Sequence, residues 1–468
     1  MRAAAGVLGT LLLAGAGAGQ MVDPAIDGLV GPFSYLAKPS GMIGGVGAGR
    51  GTQVTWDGAL HTGEAELCLV TGDPPRPVAV RLKRFGGGAT PLLHYSWMEG
   101  DVKLGVSAFA GAPGQDAPPA NFVRLQVTRL GDEGHPASIG LALRHSGGHE
   151  RIPSRMALNP DSRYAFDRGC ALVDDRAVCV LPSLPPTRRY AVAGVPYTKP
   201  FTGSEHGVGP ATAVLLALWD LGARQALTID LKMPWTPLPP EAHQALQALR
   251  QADHDRQAEE IAQAWADELL RGMRVFLPES KPLETYRASL AYLLMGAEIP
   301  ETGPARLHDL LRGGALPLED AAPVAQALDL SGRPDLARGI MEGWLGGPPT
   351  TLPGEALSAL IHHAWLTGDR PWAEARYEVL RAAADALAAG LDAGSVPPGG
   401  REWLAAAEAL GAMGELAALV GRSEDAVLYR SRSAEALVVA ERALDGAPLP
   451  VDALAAALAL NRGLPDSP

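Results

Sequence analysis

Five acidic residues stand where helical segments of this chain would begin: Glu319, Asp320, Glu355, Glu402 and Asp452. Carboxyl groups suit paired proton chemistry. One that stays protonated can hand its proton to a leaving oxygen, and an ionised one can take a proton from water. Each acid also has a plainer use. Asp and Glu favour the first turn of a helix, where backbone N–H groups lack partners and the dipole is positive. Asp320, ahead of Ala321-Ala322-Pro323, reads as an N-cap on that basis. Glu402 stands apart because Trp403 follows it. An indole can shield a carboxyl from water and so favour its protonated form, or offer a flat face to a ligand ring.

Other chemistries find little support. Gly44-Gly45-Val46-Gly47-Ala48-Gly49 has neither the spacing of a phosphate loop nor a following Lys-Ser/Thr, so it reads as a flexible loop. His362 and His363 are neighbours on one helix and point in different directions, a poor metal pair. His308-Asp309, near Arg312, reads first as a solvated loop and second as lining the same rim as the acids. Three cysteines make no zinc framework, and no Gly-x-Ser-x-Gly elbow is present. No metal or cofactor is expected. A net charge of −12 argues against nucleic acid and anionic membranes as partners.

The elements that must hold these acids fall into two kinds. From about Phe33 to Leu231 short apolar runs alternate with turn-formers such as Asp57-Gly58 and Glu99-Gly100-Asp101, the pattern of an antiparallel sandwich. Asp174-Asp175 reads as a two-residue hairpin turn. Counting outward from it puts Cys170 opposite Cys179, so a disulfide between them is expected in an oxidising compartment, with Cys68 left free. Met233-Pro234-Trp235-Thr236-Pro237 marks a boundary, and a polar helix from Glu241 to about Glu260 follows. Beyond it helical segments pair off around Ser331-Gly332-Arg333-Pro334, Thr367-Gly368-Asp369-Arg370-Pro371 and Gly421-Arg422. Each Gly suits the residue that closes a helix. The three glycines lie 36 and 53 residues apart, without the fixed period of a repeat array. Irregular spacing fits a ring with variable loops on one rim.

The expected fold class is therefore α+β with two domains, an N-terminal antiparallel β-sandwich and a reduced (α/α) helical-hairpin toroid. The expected layout is a signal peptide over 1–19, the sandwich over 30–234, a linker and bridging helix over 235–258, and helical hairpins over 259–468. The leader reading rests on Arg2, the apolar run that follows it, and small residues near Gly19. It predicts a secreted or periplasmic protein with no stable membrane insertion after cleavage. If the helix opening at Asp320 is an inner one, alternate helices open near Glu355, Glu402 and Asp452, and all these acids share one rim.

Gly58-Ala59-Leu60-His61-Thr62-Gly63-Glu64, Tyr95-Ser96-Trp97, Trp265, Leu277-Pro278-Glu279, Gly332-Arg333-Pro334-Asp335 and Leu366-Thr367-Gly368-Asp369 together resemble the six-hairpin glycosidases, the superfamily of bacterial glucoamylases. The resemblance covers most of the chain. It departs in having room for about four hairpins after Glu260, and in offering Leu318-Glu319-Asp320 where such enzymes carry Arg-Asp. It implies a carbohydrate partner and inverting hydrolysis by paired carboxylates. Glu402 is the expected acid, and Asp320 or Glu319 the group that activates water or holds sugar hydroxyls. Trp403, Glu355 and Asp452 are the expected substrate contacts. Two other readings stay open. One is a catalytically inactive glycan-binding or scaffold protein on the same fold; the other is a helical interaction module with a β-domain attached.

Overall fold

The structure, a computed structural model, describes residues 41–444 except 55–57, 73–75, 79–82, 87–89, 115–116, 132–136, 146–162, 196–211, 311–313, 349–351 and 394–399. The leader-like segment 1–19, Arg312 and Asp452 lie outside the described residues.

Two antiparallel sheets form the N-terminal part. Across the first run Gly41–Ile43, Thr52–Val54, Leu60–His61, Ala65–Thr71, Ser138–His145, Thr212–Asp220 and Arg188–Val195, with Arg76–Pro77 beside Ala65–Thr71. Across the second run Tyr164–Asp167, Cys170–Val173, Arg176–Val180, Ala226–Pro234, Ala120–Arg129, Val102–Gly111, Thr90–Glu99 and Arg84–Gly86. Alternation decides which side chains face the other sheet. Val102, Leu104 and Val106 are buried while Lys103 is exposed, and they meet Leu67, Leu69, Leu141, Leu143 and Trp219 of the first sheet in one core.

The second sheet is buried on its outer face as well. Helices α1 (His243–Gln251) and α2 (His254–Leu270) cover it there. Leu246, Leu249 and Ile261 pack on Phe109, Phe122, Cys170 and Val180. Arg124 ties the layers together, with a two-toothed grip on Asp230 at 2.6 and 2.9 Å and a contact to Asp255 of α2 at 2.5 Å. The expected single bridging helix is broken. Ala252 is extended, and Asp253 starts α2 by accepting from the Arg256 N–H. This side-chain cap offers the backbone a fresh helix start that composition alone conceals.

The hairpin at Asp174-Asp175 forms, with φ of 49° and 62° at the two turn residues. The expected Cys170–Cys179 disulfide does not. A bulge between Ala171 and Leu172 shifts the register, so Ala171 pairs with Cys179 and Cys170 with Val180. One extra residue turns the next side chain to the other face. Cys179 faces the core between the sheets, Cys170 faces α1, and both are free thiols, as is Cys68.

Helices α3 (Ser280–Gly296), α4 (Leu318–Leu330), α5 (Pro334–Trp344), α6 (Gly354–Thr367), α7 (Arg370–Asp392), α8 (Gly400–Leu419) and α9 (Ser423–Leu444) make up the helical-hairpin toroid among the described residues. Gly332, Gly368 and Gly421 each carry a positive φ between α4 and α5, α6 and α7, and α8 and α9, the left-handed step that ends each helix. Helix α6 is buried almost all round, as an inner helix must be.

The glycine-rich segment is a packed junction rather than a loose loop. Gly47 donates to Leu294 O at 3.0 Å and accepts from the Ile299 N–H at 3.1 Å. A Cβ on Gly44 would lie 2.5 Å from Met295 Sδ, and one on Gly49 would lie 2.8 Å from Glu298 Cβ. Only bare backbone fits that close against the helical part. The indole of Trp265 on α2 donates to Gly44 O at 3.2 Å and completes the seam.

Candidate functional site

Side-chain contacts fix how α4, α6 and α8 lie. Gln326 and Asp329 of α4 meet His362 and His363 of α6. Near its start α6 touches α8, since a Cβ on Gly354 would come within 2.8 Å of the Ala405 backbone. One turn further on, Ser358 donates to Glu408 at 2.9 Å. Position numbers rise together along each pair, so the three helices are parallel, with α6 in the middle. Their N-termini share one rim. Matching Gln326 to His362 puts the first turns of α4 and α6 level. Matching Gly354 to Ala405 puts Glu402 about one turn beyond them.

The connections confirm which rim is elaborated. Among the described residues, 297–310, 314–317, 345–348 and 352–353 lie on this side, whereas the far side has the tight turns 331–333, 368–369 and 420–422. Binding groups tend to sit on long loops carried by a rigid frame. The first of them holds a short hairpin, Ala297–Glu298 against Arg306–Leu307, where His308 contacts Glu298 at 2.8 Å. The β-sandwich reaches the same place. Ala48 bridges Glu298, and Gln53 donates to Leu310 O at 3.3 Å. His308 thus belongs to the rim, the second of the two readings its sequence offers.

The acids named from sequence distribute as follows. Glu319 and Asp320 are exposed in the first turn of α4, and Glu402 is exposed in the first turn of α8. Glu355 is half-buried in the first turn of α6. Asp320 is not the N-cap; α4 starts earlier, at Leu318 after Pro317. The shield expected for Glu402 is not found. Trp403 packs with Leu437 against Leu404 and Ala440, in the contact between α8 and α9. The whole of α6 stands between Glu402 and the Glu319–Asp320 pair. Neighbouring packed helices lie about 8–10 Å apart, so that pair stands one helix further round the ring from Glu402 than Glu355 does.

Two polar networks connect these helices, and neither was legible from spacing. In one, His362 Nδ1 lies 3.2 Å from Gln326 Nε2 and 3.3 Å from Ser358 Oγ, and 3.9 Å from Glu408. In the other, the buried His363 turns the opposite way. Its Nδ1 contacts both oxygens of Asp329 at 2.9 and 3.0 Å, while Arg338 Nε donates to its Nε2 at 3.3 Å. Arg338 also grips Asp369 at 2.6 Å. The Trp372 N–H, and after it Arg338, hold the Asp369 carboxyl below the usual carboxylate range. The only local hint was the i, i+4 spacing of Ser358 and His362, which brings side chains together on a helix.

No family model matches the sequence, and no curated protein does either. Solved structures do match in shape. A bacterial glucoamylase complexed with acarbose aligns with a TM-score of 0.56 at 10% identity, over 86% of this chain and 66% of the glucoamylase. The chain shares the fold of this glucoamylase. At this identity the likeness establishes architecture alone. The chain spans about two thirds of the glucoamylase's length. Two further matches are an inverting mannosidase of family GH92 from Bacteroides thetaiotaomicron, with a TM-score of 0.36 at 12% identity over 86% of this chain and 61% of that one, and another GH92 glycosyl hydrolase, with 0.27 at 10% over 74% and 47%. Among the described residues no helix is long and apolar enough to cross a membrane, and no group of three His, Cys, Asp or Glu side chains could hold a metal ion.

Proposed function

We propose that the protein is a glycan-directed hydrolase whose site is the rim formed by the first turns of α4, α6 and α8. One observation carries the reading: Glu355 and Glu402 lie in the first turns of adjacent parallel helices. An axis spacing of about 8–10 Å is of the same order as the roughly 6.5–9.5 Å that inverting glycosidases keep between two carboxyl groups. Glu402 with Asp320 or Glu319, the pair expected from sequence, sits on helices that α6 separates and so spans more than that spacing. In this reading exposed Glu402, with water at hand, activates the attacking water. Glu355, closer to the wall of the ring, protonates the leaving oxygen. Glu319 and Asp320 hold sugar hydroxyls one helix further on. The leader-like residues 1–19 support action outside the cytoplasm.

A second reading, glycan binding without cleavage, is favoured by the exposure of Glu319, Asp320 and Glu402 at helix starts, where they also serve the helix dipole. A panel of α- and β-linked aryl glycosides separates the two. Cleavage by the wild type, lost in Glu355→Gln and in Glu402→Gln without a change in melting temperature, supports the hydrolase. Glycan binding with no cleavage of any substrate supports the alternative.

A further inference from the structure

The far end of the inner helices carries a second group of side chains that the rim chemistry does not use. Trp365 lies 11 residues past Gly354, about 16 Å along α6 from the acidic rim. Its side chain is 42% exposed beside exposed Leu366. The ring meets the edge of His362, with centroids 6.1 Å apart at 71°. His362 is itself 32% exposed.

The hydrogen bonds around His362 engage one ring nitrogen and leave the other open. Ser358 donates to Glu408 at 2.9 Å. Nδ1 of His362 lies 3.2 Å from the Gln326 amide and 3.3 Å from the Ser358 oxygen, so Nδ1 is the engaged nitrogen. Nε2, on the other side of the ring, donates or accepts according to the tautomer. Among the described residues neither this Nε2 nor the Trp365 indole N–H has a hydrogen-bond partner. An exposed aromatic face thus sits beside an open indole N–H, an open ring nitrogen and the amide of Gln326.

We propose that Trp365, His362 and Gln326 form a second glycan-binding site, taking one pyranose of a larger chain. The inference rests on the glycan reading above and adds a place distant from the acids. A pyranose has an apolar face of C–H groups to lay on the indole, and hydroxyls, which both donate and accept, to meet the indole N–H and the open ring nitrogen. An apolar protein surface covering Trp365 would bury both nitrogens unsatisfied, at a cost to binding for each.

Native affinity electrophoresis in gels holding amylopectin, mannan, xylan or mixed-linkage β-glucan tests the proposal on the full chain. The expected result is retardation of the wild type in at least one gel, lost in Trp365→Ala, partly restored in Trp365→Phe, and weakened in His362→Phe. The Glu355→Gln/Glu402→Gln double variant should keep its retardation, because its lesion lies at the other rim. Trp365→Ala migrating as the wild type does in every gel overturns the proposal, as does a wild type that no gel retards. A Trp365→Ala variant that changes only sedimentation, from dimer to monomer, overturns it in favour of self-association. Trp365-dependent retardation in a protein that cleaves no glycoside leaves this site standing and removes the hydrolase reading. Cleavage with Trp365-independent retardation does the reverse.

Discussion

Replacing His363 by Ala should destabilise the helical part more than any other single change at this hub. Asp329 and His363 have side chains 1% and 0% exposed, so neither can turn to water. The imidazole shares its one Nδ1–H between the two carboxylate oxygens, at 2.9 and 3.0 Å. Removing it leaves a buried carboxylate without that partner, a change that costs about 3–5 kcal/mol. The edge contact with Trp372 at 5.2 Å goes too, worth about 0.5–1.5 kcal/mol. The expected loss is about 5 kcal/mol, or about 10–20 °C in melting temperature for a cooperative unit of this size. Calorimetry and urea titration near pH 7.5 measure it. The sharper test is the cycle with Asp329→Ala. Removing both groups should cost less than the sum of the single losses, by about 2 kcal/mol or more, because the double variant buries no orphaned charge. Additivity within about 0.5 kcal/mol would refute the pairing as the source of the stability.

Three further outcomes follow from local geometry. Gly354→Ala places a Cβ within 2.8 Å of the Ala405 backbone, which cannot swing aside as a side chain would, so it should push α6 off α8 and cost about 1–3 kcal/mol; an unchanged melting temperature would contradict the packing. The native protein should leave all three thiols unmodified by a thiol reagent, and unfolding without reductant should expose three, since Cys68, Cys170 and Cys179 are buried and unbonded; recovery of a single thiol would restore the disulfide. Burial, and after it Arg124, hold the His254 imidazole below its ordinary 6.5. The unfolded chain therefore takes that proton first, so this share of stability is complete above about pH 6.5 and is lost as the pH falls below it. His254→Gln should flatten the melting profile between pH 7 and 5, and an unaltered slope would count against the assignment.

What sequence reveals here follows the range of the interaction. Asp174-Asp175 and the glycines that close α4, α6 and α8 act within a few residues, and each stands where local rules place it. The order of sandwich and helical hairpins follows from periodicity in the same way. The bulge after Ala171 is set by packing on two faces of a sheet, so a count from the turn missed it and mispaired the cysteines. Asp253, one polar residue among many, decides where α2 begins because its side chain reaches Arg256 N. The glycines at 44 and 49 meet Met295 and Glu298 from more than two hundred residues away, a contact that no local pattern encodes. Helix parity did bring Glu355 and Glu402 to one rim. It did not show that α6 stands between Glu402 and Asp320, and that ordering is what moves the proposed pair to neighbouring helices.

The most direct test of the central claim is cleavage of a panel of α- and β-aryl glycosides by the wild type, Glu355→Gln and Glu402→Gln at matched melting temperatures. The account predicts turnover of at least one glycoside by the wild type, with inversion seen by proton NMR of the first product formed, and near-complete loss in both variants. Turnover that survives in either variant, or retention of configuration at the anomeric carbon, would contradict it.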